Sequence, residues 1–446
     1  MAQEPAKRLY DGGSGSILYT DRRDFYIEPD VYKELWTDVA PFLTFIQNIE
    51  SRTDMKDPMY KMFEGRAYWV DQRFQIDDTD AVGNNDTGVV VDLPTQTASN
   101  TYGLPTARSD AYTGLLCTVH SDNGGKPSGE RKGIVIITTF TSGSPDTITI
   151  KNMSTTTFTH VSGDWYVVLG QMTGENQVAP TPWADELKVV WNQCGIQRTS
   201  LQVSGTMKTS ILRGARDEYI RIRARKMAEH KIQKNRMMLF GSSRLGTNLD
   251  YAGTFADGNT TDADGNEIRA TTGAFEALLK YGATTGDDQN IFSITEGSFS
   301  YNDWVDISEK MFQYYPEDGI KDCFCGAAFL SYFNKLAGPT GFGDNSKMSI
   351  QLSPYKRDPI GFNYKVLETP HGIVRLIHDP CITKSPYNKY GMIIDKSQIF
   401  HTQFRMSEYK MDIKKENGYD GQKDEIFSDE GMGMTLLPSH KLLKIV

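Results

Sequence analysis

The sequence predicts an α+β protein, and three observations predict it. Residues 60–205 carry short apolar stretches that alternate with polar or small neighbours and are separated by Thr and Ser clusters, as β-strands are. Residues 208–240 form a periodic, heavily charged stretch without proline, the pattern of one long helix. Beyond it, helix-like and strand-like segments mix as far as residue 446. The composition suits a folded chain: 38% hydrophobic and 11% aromatic residues can bury a sizeable core, which excludes whole-chain disorder. Forty glycines against 18 prolines call for many turns and exclude a collagen-like or proline-rich regime.

Residues 1–30 are polar, with Gly12-Gly13-Ser14-Gly15-Ser16 inside, and read as a flexible arm. Val31, Leu35, Trp36, Val39, Phe42, Leu43 and Ile46 follow at helical spacing, and Pro41 is expected to interrupt or kink that helix. Tyr68, Val70, Gln72 and Phe74 then alternate with other residues up to a polar stretch, and Gly88-Val89-Val90-Val91 leads back. We read this as a long β-hairpin with Asp77, Asp78, Asn84, Asn85 and Asp86 at its polar tip. Further strands are expected at 133–139, 146–150, 164–169, from Val189, and at 197–203.

The helix over 208–240 takes Ser210 as its N-cap and Gly241-Ser242-Ser243 as its stop, and would be about 50 Å long. A loop rich in Gly, Asp, Asn and Thr follows at 246–272, then a short helix at 273–281. Ser300-Tyr301-Asn302-Asp303 opens another helix, with Trp304, Ile307, Met311 and Phe312 along one side. Segments at 323–328, 331–336, 364–368, 373–378 and 391–394 mix strand and helix, and the tail from 398 reads as strands. No internal repeat of fixed period is present.

A net charge of −9 argues against a chain that coats nucleic acid with its whole surface. The charge is uneven, however. Between 213 and 236, nine basic residues meet only Asp217, Glu218 and Glu229, a net of +6 that leaves −15 for the rest. Arg213, Arg216, Arg223, Lys231 and Lys234 share one helical face, and Ile211, Ala215, Tyr219 and Ile222 supply an apolar stripe. Such a face suits phosphates or acidic neighbouring subunits. A solvated face paired locally with acids is the plainer alternative.

Catalytic and metal-binding patterns are missing. Seven histidines are scattered, without His-Glu-x-x-His, and no Cys-x-x-Cys exists. Cys323-x-Cys325 places two thiols on one strand face without companion ligands. Gly418-Tyr-Asp-Gly421-Gln-Lys423 is too short for a P-loop, and no Gly-x-Ser-x-Gly elbow is present. Asp262-Ala-Asp264-Gly265-Asn266-Glu267 lacks the later ligands of a calcium loop and reads as a turn. The expectation is a chain with no enzymatic activity, catalytic residue, cofactor or metal. No run approaches the ~18 apolar residues of a membrane span, and Met-Ala-Gln-Glu-Pro-Ala-Lys-Arg lacks a signal peptide's apolar stretch. Five scattered cysteines point to free thiols in a reducing compartment.

The order of elements, with three particular stretches, resembles major capsid proteins of tailed bacteriophages with the Hong Kong-type capsid fold, in the subgroup with a β insertion in the extended loop. The first stretch runs from Gly174-Glu175-Asn176 through Asn192-Gln193-Cys194-Gly195-Ile196-Gln197-Arg198-Thr199-Ser200 to Val203-Ser204-Gly205-Thr206. The second is the helix end, Lys234-Asn235-Arg236-Met237-Met238-Leu239-Phe240-Gly241. The third joins Ile393-Ile394-Asp395 and Phe404-Arg405 to Gly418–Asp424, Phe427-Ser428-Asp429-Glu430 and Met434-Thr435-Leu436. The resemblance implies an N-terminal arm and short helix at 1–59, an extended β-hairpin loop (E-loop) with its insertion at 60–205, and a peripheral (P) domain with a spine helix at 206–290. A mixed α/β axial (A) domain at 291–390 and peripheral return strands at 391–446 complete it.

The same resemblance implies self-assembly in the host cytoplasm into hexamers and pentamers of an icosahedral virion capsid around packaged double-stranded DNA, with the hairpin's polar tip reaching an adjacent subunit. Implied partners are a separate scaffolding protein (the arm being too short to hold one), a portal and a decoration protein, with no membrane. Some relatives crosslink subunits through Lys and Asn; Lys56 and Lys61 lie near the hairpin base, and nothing marks either as reactive. Two other classes stay open: a tail-tube or portal component, and a carbohydrate-active enzyme drawing on the Tyr, Trp, Asp and Glu supply.

Overall fold

A computed structural model of the chain describes residues 40–446 apart from 50, 53–54, 66–69, 98–99, 105–109, 176–178, 180–186, 211–216, 243–259, 262–263, 265, 286–287, 315–317, 337–355, 358–362 and 414–419. The arm, the positions from Val31 to Val39 and most of the 246–272 loop lie outside the described residues. Pro41 opens the helix Pro41–Asn48 rather than kinking it, because a first-turn residue has no intrahelical N–H bond to lose. Phe42, Leu43, Phe45 and Ile46 of this helix are buried.

Met59–Glu64 and Lys188–Gln193 pair antiparallel as a two-stranded stem, with Met59 opposite Gln193 and Glu64 opposite Lys188. Between the two strands of the stem lies a β module. Its seven-stranded sheet runs in the order Thr87–Leu93, Asp146–Asn152, Pro127–Thr141, Leu115–Asp122, Trp165–Gln171, Arg73–Gln75, Thr101–Tyr102. The module has a core of its own, including Phe74, Val91, Cys117, Val119, Val135, Ile137, Ile148, Ile150 and Tyr166.

The sheet order corrects the long hairpin expected over 68–91. Arg73–Gln75 pairs with Trp165–Val167 and with Thr101–Tyr102, whereas Thr87–Leu93 pairs with 146–151. The two expected arms therefore sit at different places in one sheet. Alternation marks a strand and its inward face, but many Val- and Ile-rich strands compete as partners.

The expected helix over 208–240 is also two helices. Ser204 caps Gly205–Thr209, and Ser210 ends that short helix instead of starting the long one. The long helix is Glu218–Phe240, whose cap is Asp217, with its carboxylate accepting from the Ile220 N–H at 3.2 Å. Its 23 residues give about 35 Å of rod. It packs against a four-stranded sheet ordered Ser51–Arg52, Ile399–Lys410, Gly421–Met434, Gly195–Ser204.

The third large unit is a mixed seven-stranded sheet ordered Ile291–Ile294, Lys441–Ile445, Tyr390–Ile394, Ile320–Cys325, Gly372–His378, Asn363–Thr369, Lys356–Arg357. Its central strands are buried on both faces, and successive residues alternate between two cores. Phe324, Ile377, Met392, Ile394 and Leu442 join one core with Phe42, Phe45, Met238, Leu239 and Phe275. Cys323, Cys325, Leu376, Ile393 and Leu443 join the other with Trp304, Phe312, Phe329 and Phe333. Ser300 caps the helix Tyr301–Met311 through a reciprocal box with Asp303, which turns Trp304 and Met311 into this second core. All five cysteines are buried and free of disulfides.

Phe324 ties the helix Pro41–Asn48 to the sheet through edge-to-face contacts with Phe42 and Phe45, at centroid distances of 5.1 and 5.0 Å. Phe324→Ala is expected to lower the stability of the fold by about 3–5 kcal/mol, measured by urea denaturation of the unassembled chain.

Candidate functional site

The long helix buries much of its C-terminal half, with Arg236 still exposed, and less of its N-terminal half. Lys234, one of the expected basic-face residues, is a buried cation whose side chain is 8% exposed. Its Nζ donates to Glu430 Oε1 at 2.6 Å, and Glu430 also accepts from Ser407 and lies 3.2 Å from His401 Nε2. Burial alone would raise the Glu430 carboxyl. The His401 hydrogen bond, the Lys234 charge and the hydrogen bonds from Lys234 and Ser407 outweigh it and hold the pKa at about 2. One turn earlier, His230 bridges Thr199 (2.9 Å) and Ser428 (3.0 Å), and burial lowers its pKa, with Lys234 adding to the shift.

Strand period sorts these partners. Asp424, Ser428 and Glu430 point at the helix, where Asp424 accepts from Tyr219 and from Tyr409. Asp429 points the other way, to Arg269 (3.1 Å) and Arg405 (3.2 Å). About 100° around the helix from Lys234, Asn235 accepts from the Leu43 N–H at 2.9 Å and donates to Asp379 at 3.2 Å. Burial raises the Asp379 carboxyl in spite of these bonds.

The expected basic face is therefore dispersed. Arg213 and Arg216 lie outside the described residues. Arg223 lays its guanidinium over the Tyr409 ring at 4.3 Å, a cation–π contact within the subunit. Lys231 is half-buried, and Lys234 is consumed by Glu430. Exposed positions on this helix include Arg225, Arg236, Ile220 and Met227.

The expected tip residues are not at the end of a hairpin. The Asp77 N–H donates to Asp92 O at 2.9 Å, which closes the loop at its base. Asp80–Val82 pairs with Phe158–His160, and the Asn152 side chain donates to Gly83 O at 2.8 Å, so the loop folds onto its own module. Asn84 and Asn85 form an exposed turn, with Asn85 at a positive φ of 55° that Asn tolerates. Asp86 donates its N–H to Gly83 O. Asp78 stays near Asp80 and His160.

The stem has two unlike faces. Met62 and Val190 pack with Phe400, and Glu64 accepts from the Leu436 N–H at 2.6 Å. On the outer side Phe63 is 68% and Leu187 62% exposed. Sequence reasoning missed Glu430, His401, Asn235 and Asp379, because the partners named above lie 23 to 196 residues away and no local spacing marks them.

A family model described as SU10 major capsid protein matches residues 44–432. No curated protein sequence matches the chain. Among solved structures, it is similar to the capsid of a native GTA particle, at 8% identity and TM-score 0.45 over 97% of this chain and 100% of that one. It is similar also to the capsid of Myoviridae phage XM1, at 10% identity and TM-score 0.42 over 97% and 100%. A third is the capsid of cyanophage P-SCSP1u, at 8% identity and TM-score 0.35 over 62% and 80%. All three overlay too loosely to transfer positions between chains. Among the described residues, no helix is long and apolar enough to cross a membrane.

Glu430→Gln leaves the Lys234 charge buried and unpaired and is expected to cost about 3–5 kcal/mol, whereas the double change Lys234→Met with Glu430→Leu recovers most of it. The Glu430 pKa lies below its ordinary 4.5, so the stability it adds is whole above that pH and drains away as pH falls toward about 2. Denaturation midpoints of the parent and the double variant across that window measure the difference.

Proposed function

Because the chain belongs to the SU10 major capsid protein family, we propose that this structural shell protein self-assembles into hexamers and pentamers that close into an icosahedral capsid around double-stranded DNA. The single observation that carries the reading is the family match over residues 44–432. In this reading the fold is of the Hong Kong type. Residues 1–59 are the arm and short helix, 60–205 the extended loop with its β insertion, and 206–290 a peripheral domain whose spine is the helix Glu218–Phe240. Residues 291–390 are the axial domain and 391–446 the peripheral return strands. Assembly takes place in the host cytoplasm with a separate scaffolding protein, a portal and a decoration protein as partners.

The geometry supports a subunit that completes itself against neighbours. Phe63 and Leu187 are large apolar side chains on the outer side of a slender stem, where a second chain would bury them. Met406 (73% exposed) and Met411 (65%) extend the supply near the end of Ile399–Lys410. For the helix, exposed Ile220 and Met227 beside Arg225 favour a neighbouring subunit over phosphates as what its outer side meets.

Negative-stain microscopy and native mass measurement of the expressed chain, with a scaffold co-expressed, should show closed shells; monomers under every condition, or open tubes, overturn the reading. Phe63→Asp is expected to abolish shells while changing subunit stability by no more than about 0.5 kcal/mol. Particle yield and the denaturation midpoint of the unassembled chain test the two halves of that statement.

A further inference from the structure

We propose that Asp78, Asp80 and His160 form a binding site for a first-row divalent cation that pins the 77–92 loop to the strand Phe158–His160. Asp80 and His160 are directly opposed across an antiparallel pair, and Asp78 lies two residues ahead of Asp80, just before that strand begins. One ligand atom from each of the three residues lies within 4.8 Å of the others. Small rotations of the two carboxylates, of which Asp80 is exposed and Asp78 half-buried, bring all three onto one ion at about 2.0–2.2 Å.

The second observation concerns the imidazole itself. His160 is 0% exposed, and its Nε2 has no hydrogen-bond partner, although a buried ring nitrogen is ordinarily satisfied. Its Nδ1 faces the Tyr166 hydroxyl at 3.5 Å, an outer contact of the kind that fixes the ring of a metal-ligating histidine. The nearby Asp164, held by Lys132 at 2.6 Å and by the Val161 N–H at 2.8 Å, is not one of the three whose ligand atoms converge.

Charge and donor type define the ion. Two carboxylates with one neutral imidazole carry a charge of −2, which a divalent cation cancels. A mixed nitrogen and oxygen set suits Zn²⁺, Co²⁺ or Mn²⁺ better than Ca²⁺, which takes oxygen ligands alone. Water would complete the coordination on the open side at Asp80. The sequence conceals the site because His160 lies 80 residues beyond Asp80, outside any short ligand motif.

The test uses the full chain, stripped of metal by a chelator and titrated with Co²⁺ alone, with visible absorption as the readout. Saturable d–d bands at one ion per chain are expected, together with a rise in the thermal midpoint that a chelator reverses. Asp80→Asn, an exposed change that spares the fold, is expected to weaken Co²⁺ binding by at least about 10-fold, the lower end of what losing even a supporting group costs. Glu130→Gln, an exposed acid outside the cluster, should bind as the parent does. Absence of saturable bands in the parent overturns the site, and so does an Asp80→Asn variant that binds as tightly as the parent. Shell assembly does not enter the readout, so failure here leaves the capsid reading untouched.

Discussion

The arrangement rests on burying a cation inside the subunit. Lys234 can sit against the strand Gly421–Met434 only because Glu430 meets it there as an anion, with Ser407 and His401 occupying the other positions on that carboxylate. Desolvating either charge alone would cost several kcal/mol, so the two elements are obliged to dock in one register. With that register set, Asn235, the next residue and about 100° further round the helix, faces Leu43 and Asp379. A single helical turn thus positions the four-stranded sheet, the helix Pro41–Asn48 and the mixed sheet relative to one another.

This constraint also separates what is fixed from what is available. The helix N-terminal half and the outer face of the stem carry apolar side chains into solvent, whereas the C-terminal half of the helix buries Lys234, Asn235, Met238 and Leu239. The β module keeps a core to itself and joins the rest through two short strands. A shell subunit needs this division: a body that does not deform and projecting parts that find partners. Buried polar pairs supply the rigidity, and exposed apolar residues supply the contacts.

Much of the element order was legible in the sequence. Alternation located the strands at 133–139, 146–150 and 197–203, and Ser300 with Asp303 announced its helix, because those signals are local. The pairing of strands was not legible. Arg73–Gln75 and Thr87–Leu93 look like two arms of one hairpin, yet each finds a partner more than fifty residues away. Charge on the long helix misled for a related reason. Helical spacing groups Arg223 and Lys234 on one face, but it cannot see Tyr409 or Glu430 waiting across the fold. At the helix start, two capping residues competed. Ser210 and Asp217 both qualify, and the chain uses the one that adds a negative charge at the positive end of the helix.

The position of Lys441–Ile445 has a consequence for how the subunit comes into being. That strand lies between Ile291–Ile294 and Tyr390–Ile394, inside the mixed sheet rather than at its edge. During synthesis the β module can close as soon as residue 171 has left the ribosome, since its partners are all behind it. The mixed sheet has a gap until residues 441–445 have been made. Until then one unit is finished and the other open, and the unpaired strand edges of the open unit are the place most prone to join a wrong neighbour.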